Sequence, residues 1–136
     1  MTQFEIPDLS VVICTYNRAE LLRLALETLL RQSPANLTYE VIVVDNNSTA
    51  ETRVVVDEIA QRDARVRYVR ETRQGNAYAR NTGVANARAP IVAFLDDDVT
   101  VRDNWLAIIP QTFKETNADF IGGKVLPRWE EPPPSW

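Results

Sequence analysis

Three short apolar runs rich in β-branched residues, Leu9 to Cys14, Val41 to Val44 and Ile91 to Leu95, each run directly into polar residues. Strands buried on both faces of a sheet have this continuous character. The intervals between them hold helical stripes. Leu21, Leu22, Ala25, Leu26, Leu29 and Leu30 recur in pairs four apart, and Val55 and Ile59 mark a second helix. Val66 to Val69 predicts a weaker strand, and Ala77 to Ala87 is a run of small residues suited to a helix lying close on the sheet. Trp105, Leu106, Ile109 and Phe113 predict a fourth helix that Pro110 should kink or interrupt. Phe120-Ile121 and Val125-Leu126 predict a last strand around Gly122-Gly123. Strand, helix and strand in this order predict βαβ units and a mostly parallel α/β sheet with helices on both faces.

Helix starts are marked by an N-cap residue with an acid three positions on: Asn17 with Glu20, Ser48 with Glu51, and Thr100 with Asp103. Domain-like sequence extends over residues 1–129, and the Pro-rich 130–136 reads as a linker or the start of a further segment. No internal repeat is present.

Composition narrows the chemistry. The chain has 136 residues, a net charge of −4 and no histidine. An acidic chain without a basic stripe argues against a nucleic-acid partner. Without histidine, acid–base work falls to carboxylates, and any metal site is built from oxygen ligands. The single cysteine, Cys14, sits within a strand and reads as a core residue of a reducing compartment. The first residues lack the basic start and apolar stretch of a signal peptide, and no apolar run is long enough to span a bilayer. The expected location is cytoplasmic, with the inner face of a membrane as a peripheral site for a longer protein.

The polar clusters are Thr15-Tyr-Asn-Arg18, Asp45-Asn-Asn-Ser48 and Asp96-Asp97-Asp98. In a parallel sheet they converge on the carboxyl edge, where open α/β folds bind ligands. If the strand continued through the aspartates, Asp96 and Asp98 would point one way and Asp97 the other. Two carboxylates on one side suit a hard cation such as Mg²⁺, which is commonly held by one or two carboxylates and a substrate's phosphates. That makes a nucleotide diphosphate the first ligand to consider. Arg80, among small residues, suits either a diphosphate or an ion pair with the acidic edge. Asn17 and Ser48 equally suit helix caps, and Asp45 suits a turn in which it accepts backbone N–H groups.

Four blocks in order, Val11 to Arg18, Val43 to Ser48, Gly75 to Gly83 with Ala79-Arg80-Asn81, and Phe94 to Asp98, resemble the signatures of family 2 glycosyltransferases from Leu9 to about Pro127. The resemblance implies a GT-A fold with a Rossmann-like nucleotide-binding sheet and inverting transfer from a nucleotide-diphospho-sugar, UDP being the favoured nucleotide. It places Asp45 and Thr15 at the base, Asp96 at the ribose and Asp98 on a Mg²⁺ or Mn²⁺ ion bound to the diphosphate. Asn17, Arg18, Arg80 and Asp97 join the nucleotide-sugar site, and Asp96 is a second candidate metal ligand. The general base toward a glycan, lipid or small-molecule acceptor is expected beyond Trp136, in the later half of a longer enzyme. An edge left open by that half would favour self-association. Two other readings are a non-catalytic nucleotide-sugar-binding module and a haloacid-dehalogenase-type phosphatase using Asp96 as nucleophile, suggested by Asp96-Asp-Asp-Val-Thr100.

Overall fold

The computed structural model describes residues 5–133 and 135. Four strands and four helices alternate: β1 (Leu9–Thr15), α1 (Ala19–Leu30), β2 (Tyr39–Asp45), α2 (Ala50–Arg62), β3 (Val66–Arg70), α3 (Asn76–Asn86), β4 (Ile91–Phe94) and α4 (Trp105–Thr116). The sheet is wholly parallel, in the order β3-β2-β1-β4. The α/β architecture with helices on both faces is as the strand pattern predicts.

Alternation along the strands divides the core. Leu9, Val11 and Ile13 of β1, with Val41 and Val43 of β2, face one layer that receives Leu22, Leu26 and Leu29 of α1, Val55, Val56 and Ile59 of α2, and Leu106 and Ile109 of α4. Val12, Ile42 and Val44 face the other layer with Ala79 of α3. β1 and β2, flanked by strands on both sides, are almost entirely buried, whereas β3 and β4 at the edges are only partly so. The small residues of α3 serve a close approach: Gly83 lies so near Val12 that a Cβ there would overlap its side chain.

Three local expectations are corrected. No strand forms around Gly122-Gly123, and the described residues after Asn117 contain neither helix nor strand. Phe120 is 90% exposed and Val125 and Leu126 are also exposed, so this stretch has no neighbouring strand with which to pair its backbone. α4 starts at Trp105, not at Thr100, because its cap comes from far away: the Leu106 N–H donates to Oε1 of buried Gln32 at 2.9 Å. Pro110 lies inside α4 without interrupting it, with Leu106 and Ile109 anchoring the flanking turns in the core. The other two helices start within one residue of the marked positions, but no side chain caps its own helix.

Candidate functional site

The register brings the polar clusters level. Thr15 pairs with Asp45, and Asp45 with Arg70, so three strands end in one plane. β4 stops lower, with Phe94 opposite Val12 and the Leu95 N–H donating to the Val12 carbonyl at 3.0 Å. The next residues therefore climb beside the end of β1. There the Thr15 hydroxyl donates to Asp97 Oδ2 at 2.7 Å.

The expected alternation of the three aspartates is not kept. Strand geometry ends at Phe94, and a turn follows in which the Asp96 carbonyl accepts the Val99 N–H at 3.3 Å. Asp97 is consequently the buried member of the trio. Arg18 Nη1 lies 3.4 Å from Asp97 Oδ1 and 3.1 Å from Asp98 Oδ2, so one guanidinium serves both carboxylates. Asp96 is 69% exposed and meets Arg80 at 3.6 Å, with that guanidinium 5.1 Å from the centroid of the Phe94 ring. The ion pair considered for Arg80 is thus formed. Burial pushes the Asp97 carboxyl up, and the Asp98 charge adds to this, against the Thr15 hydrogen bond and Arg18, which pull it down.

A cavity of about 300 Å³ opens beside this turn, lined by Thr15, Tyr16, Arg18 and Asp97 on one side and by Gln74, Gly75 and Asn76 on the other. Cys14 also lines it, half-buried, with its thiol pushed up to about 11 by burial, which keeps it protonated and unreactive. Asp45 and Asn17 sit differently. Asp45 is 1% exposed, and its two oxygens accept from the Ser48 N–H at 2.8 Å and the Tyr68 hydroxyl at 2.6 Å. Asn17, at φ 52°, donates its N–H to Ser48 Oγ and accepts the Thr49 N–H on Oδ1, both at 2.9 Å. It therefore ties the β1–α1 loop to the start of α2 and does not cap α1.

Among the described residues, no cluster of three or more acidic, cysteine or histidine side chains could enclose a metal. The fit to a cation is of another kind. Because one guanidinium reaches both Asp97 and Asp98, these carboxylates lie close enough to share a single cationic group, and their all-oxygen chemistry suits Mg²⁺ or Mn²⁺ when a diphosphate supplies further oxygens.

A family model described as glycosyl transferase family 2 matches residues 10–134. The chain belongs to that family. Glycosyltransferase AglE of Haloferax volcanii is 34% identical over 121 residues, which are 88% of this chain and 40% of that protein. Validoxylamine A glucosyltransferase of Streptomyces hygroscopicus is 49% identical over 96 residues, 69% of this chain and 22% of that one. Among solved structures, the mannosyltransferase PcManGT of Pyrobaculum calidifontis, in complex with GDP-Man and Mn²⁺, aligns with a TM-score of 0.71 and 31% identity over 81% of this chain and 33% of its own. TarS of S. aureus in complex with UDP-GlcNAc aligns at 0.74 with 23% identity, a likeness of fold. This family 2 chain thus spans 40% or less of these curated relatives. Membership of the family displaces the phosphatase reading of Asp96.

Two carboxylates important to the domain escaped the sequence reading. Glu71 follows β3 directly, as the aspartates follow the β4 run, so strand-end position was the signal. Its carboxyl is held down at about 2 by the Arg73 side chain, then by the Thr82 hydroxyl and the Arg73 N–H. Glu40, at the opposite edge, is buried; burial raises its carboxyl, but hydrogen bonds from Arg88 and Ser10, with the charge of Arg67, bring it below the ordinary value. For both, the folded value lies below the unfolded one, so their stabilisation is fully present above about pH 4.5 and is lost as pH falls through the folded value, about 2 for Glu71. Asp97 acts with opposite sign, being favoured in its protonated form. The melting temperature should therefore fall over that acidic window, and Glu71→Gln should flatten the fall. An identical pH profile for Glu71→Gln would refute the assignment.

Proposed function

We propose that this domain binds the nucleotide diphosphate of a sugar donor, UDP being favoured, and that the longer protein transfers the sugar with inversion to a glycan, lipid or small-molecule acceptor. The observation that carries this reading is the convergence of Thr15, Arg18 and Asp97 on one cavity at the carboxyl ends of β1 and β4, with Asp98 joined to it through Arg18, and Arg80 and Asp96 alongside. Arg18 and Arg80 are the cations available to phosphate oxygens, and Asp98, with Asp96 or Asp97, is the carboxylate set available to Mg²⁺ or Mn²⁺. When bound, such an ion supplies charge neutralisation on the departing diphosphate. Asp45 and Asn17 contribute by shaping the loops at the ends of β1 and β2. The GDP-Man and Mn²⁺ bound to PcManGT and the family membership support the donor class.

A carboxylate base for the acceptor is assigned to the continuation of the chain, since Asp96, Asp97 and Asp98 are the carboxylates assigned to the cation and the donor. The domain alone is then expected to bind donor and to transfer sugar poorly, and its exposed Phe120, Val125 and Leu126 favour self-association. Residues 1–129 form the donor-binding unit and 130–136 lead into the rest. No helix among the described residues is long and apolar enough to cross a membrane. A cytoplasmic protein, peripheral at the inner membrane face, is the setting that suits this reading.

Calorimetric titration with UDP, GDP, dTDP and CDP in the presence of Mn²⁺ tests the proposal. At least one should bind, excess chelator should weaken it, and Asp98→Ala should cost about tenfold or more in affinity, as expected for loss of a charged ligand interaction. Binding unchanged by chelator would remove the metal from the proposal, and no binding of any of the four would remove the donor.

A further inference from the structure

The wall of the cavity formed by Gln74, Gly75 and Asn76 belongs to a loop that is fastened from a single buried side chain. Asn46, at the carboxyl end of β2, is 5% exposed. Its Nδ2 donates to the Glu71 carbonyl at 3.2 Å and to the Arg73 carbonyl at 2.7 Å, while Oδ1 accepts the Gly75 N–H at 2.9 Å. Its own backbone N–H donates to the Thr15 carbonyl at 2.9 Å, on the opposite wall. Gly75 has φ 141°, a conformation closed to most residues, and leads straight into α3, which carries Arg80. Glu71 clamps the same loop from its start: its carboxylate accepts from the Arg73 N–H at 2.8 Å, from Arg73 Nε at 3.0 Å and from the Thr82 hydroxyl of α3 at 2.5 Å.

We infer that Asn46, which itself lines the cavity, is a positioning residue for the nucleotide pocket, acting through the Glu71–Gly75 loop that its side chain holds. Both amide donors are committed to backbone carbonyls, so the side chain has no N–H left to offer. The chemistry is specific to an amide, because an aspartate of the same shape supplies no donor and turns an oxygen toward two carbonyls. The inference rests on the donor-binding reading for its functional consequence, though not for the loop itself.

The test is Asn46→Asp, followed by amide hydrogen exchange in the absence of nucleotide and by calorimetry with UDP, GDP, dTDP and CDP in Mn²⁺. Exchange at Arg73, Gln74, Gly75 and Asn76 should accelerate about tenfold or more while the β1 and β2 amides stay protected, and nucleotide affinity should fall by about tenfold. Unchanged exchange in the loop overturns the inference. So does a loosened loop with affinity equal to the parent chain's. If the parent chain binds none of the four, the donor reading fails and so does the functional half of the inference, whereas the exchange result still decides whether Asn46 sets the loop. Should Asn46→Asp fail to fold, Thr82→Val, which cuts the Glu71 clamp from α3, is expected to move exchange and affinity in the same directions by smaller factors, and no movement in either overturns the inference.

Discussion

Replacing Glu40 with alanine is expected to lower the unfolding free energy by about 2–3 kcal/mol, although the residue lies at the edge of the sheet opposite the cavity. Its side chain is 3% exposed. One oxygen accepts the Ser10 hydroxyl at 2.7 Å and the Arg88 N–H at 2.9 Å, and the other meets Arg67 at 3.1 Å and Arg88 at 2.8 Å. The carboxylate thereby fastens β1, β2, β3 and the turn before β4. Removing it leaves two guanidinium groups without their shared partner. These are 36% and 47% exposed, so water recovers part of the loss, which keeps the expected cost below that of a wholly buried pair. Urea unfolding with an unchanged m value is the measurement. A loss under about 0.5 kcal/mol, the range of an ordinary surface substitution, would refute the account.

The second large effect is steric. Gly83→Val should cost about 3 kcal/mol, because α3 rests on β1 at a distance that leaves no room for a Cβ against Val12. The decisive experiment pairs Gly83→Ala with Val12→Ala. Overlap between the two side chains predicts that the double variant is more stable than the sum of the single losses by about 1 kcal/mol or more. Additive losses would mean that the helix simply shifts and that the close approach is not enforced.

Much of this arrangement is legible in the chain because it depends on pattern. The runs at Val11, Val41 and Ile91 and the paired leucines of α1 carry their burial in their spacing, and the polar residues that follow β1, β2 and β4 mark the edge where the cavity lies. What was not legible depends on distant partners. The cap of α4 is supplied by Gln32, 74 positions away, so the local Thr100-to-Asp103 signal pointed to the wrong turn. The orientation of Asp96, Asp97 and Asp98 depends on where β4 stops relative to β1, which residue alternation alone does not specify. Apolar content at Phe120 and Val125 likewise does not make a strand when no neighbour offers its backbone. Asn46 stands in the sequence only as a member of the polar cluster after Val44, and its role is visible only through the three backbone groups that it holds.

The strand order β3-β2-β1-β4 also has a history written into it. β1 joins β2, and β2 joins β3, across single helices, whereas β1 receives β4 from about eighty positions downstream. Closing that longer loop carries the larger entropic cost, so the three-strand unit through Arg70 is the natural early structure and β4 docks last. The aspartates arrive with β4. Refolding followed by pulsed exchange should then show the amides shared by β1 and β2 protected before those of β4, with Thr15 left waiting for Asp97 until the final step of assembly.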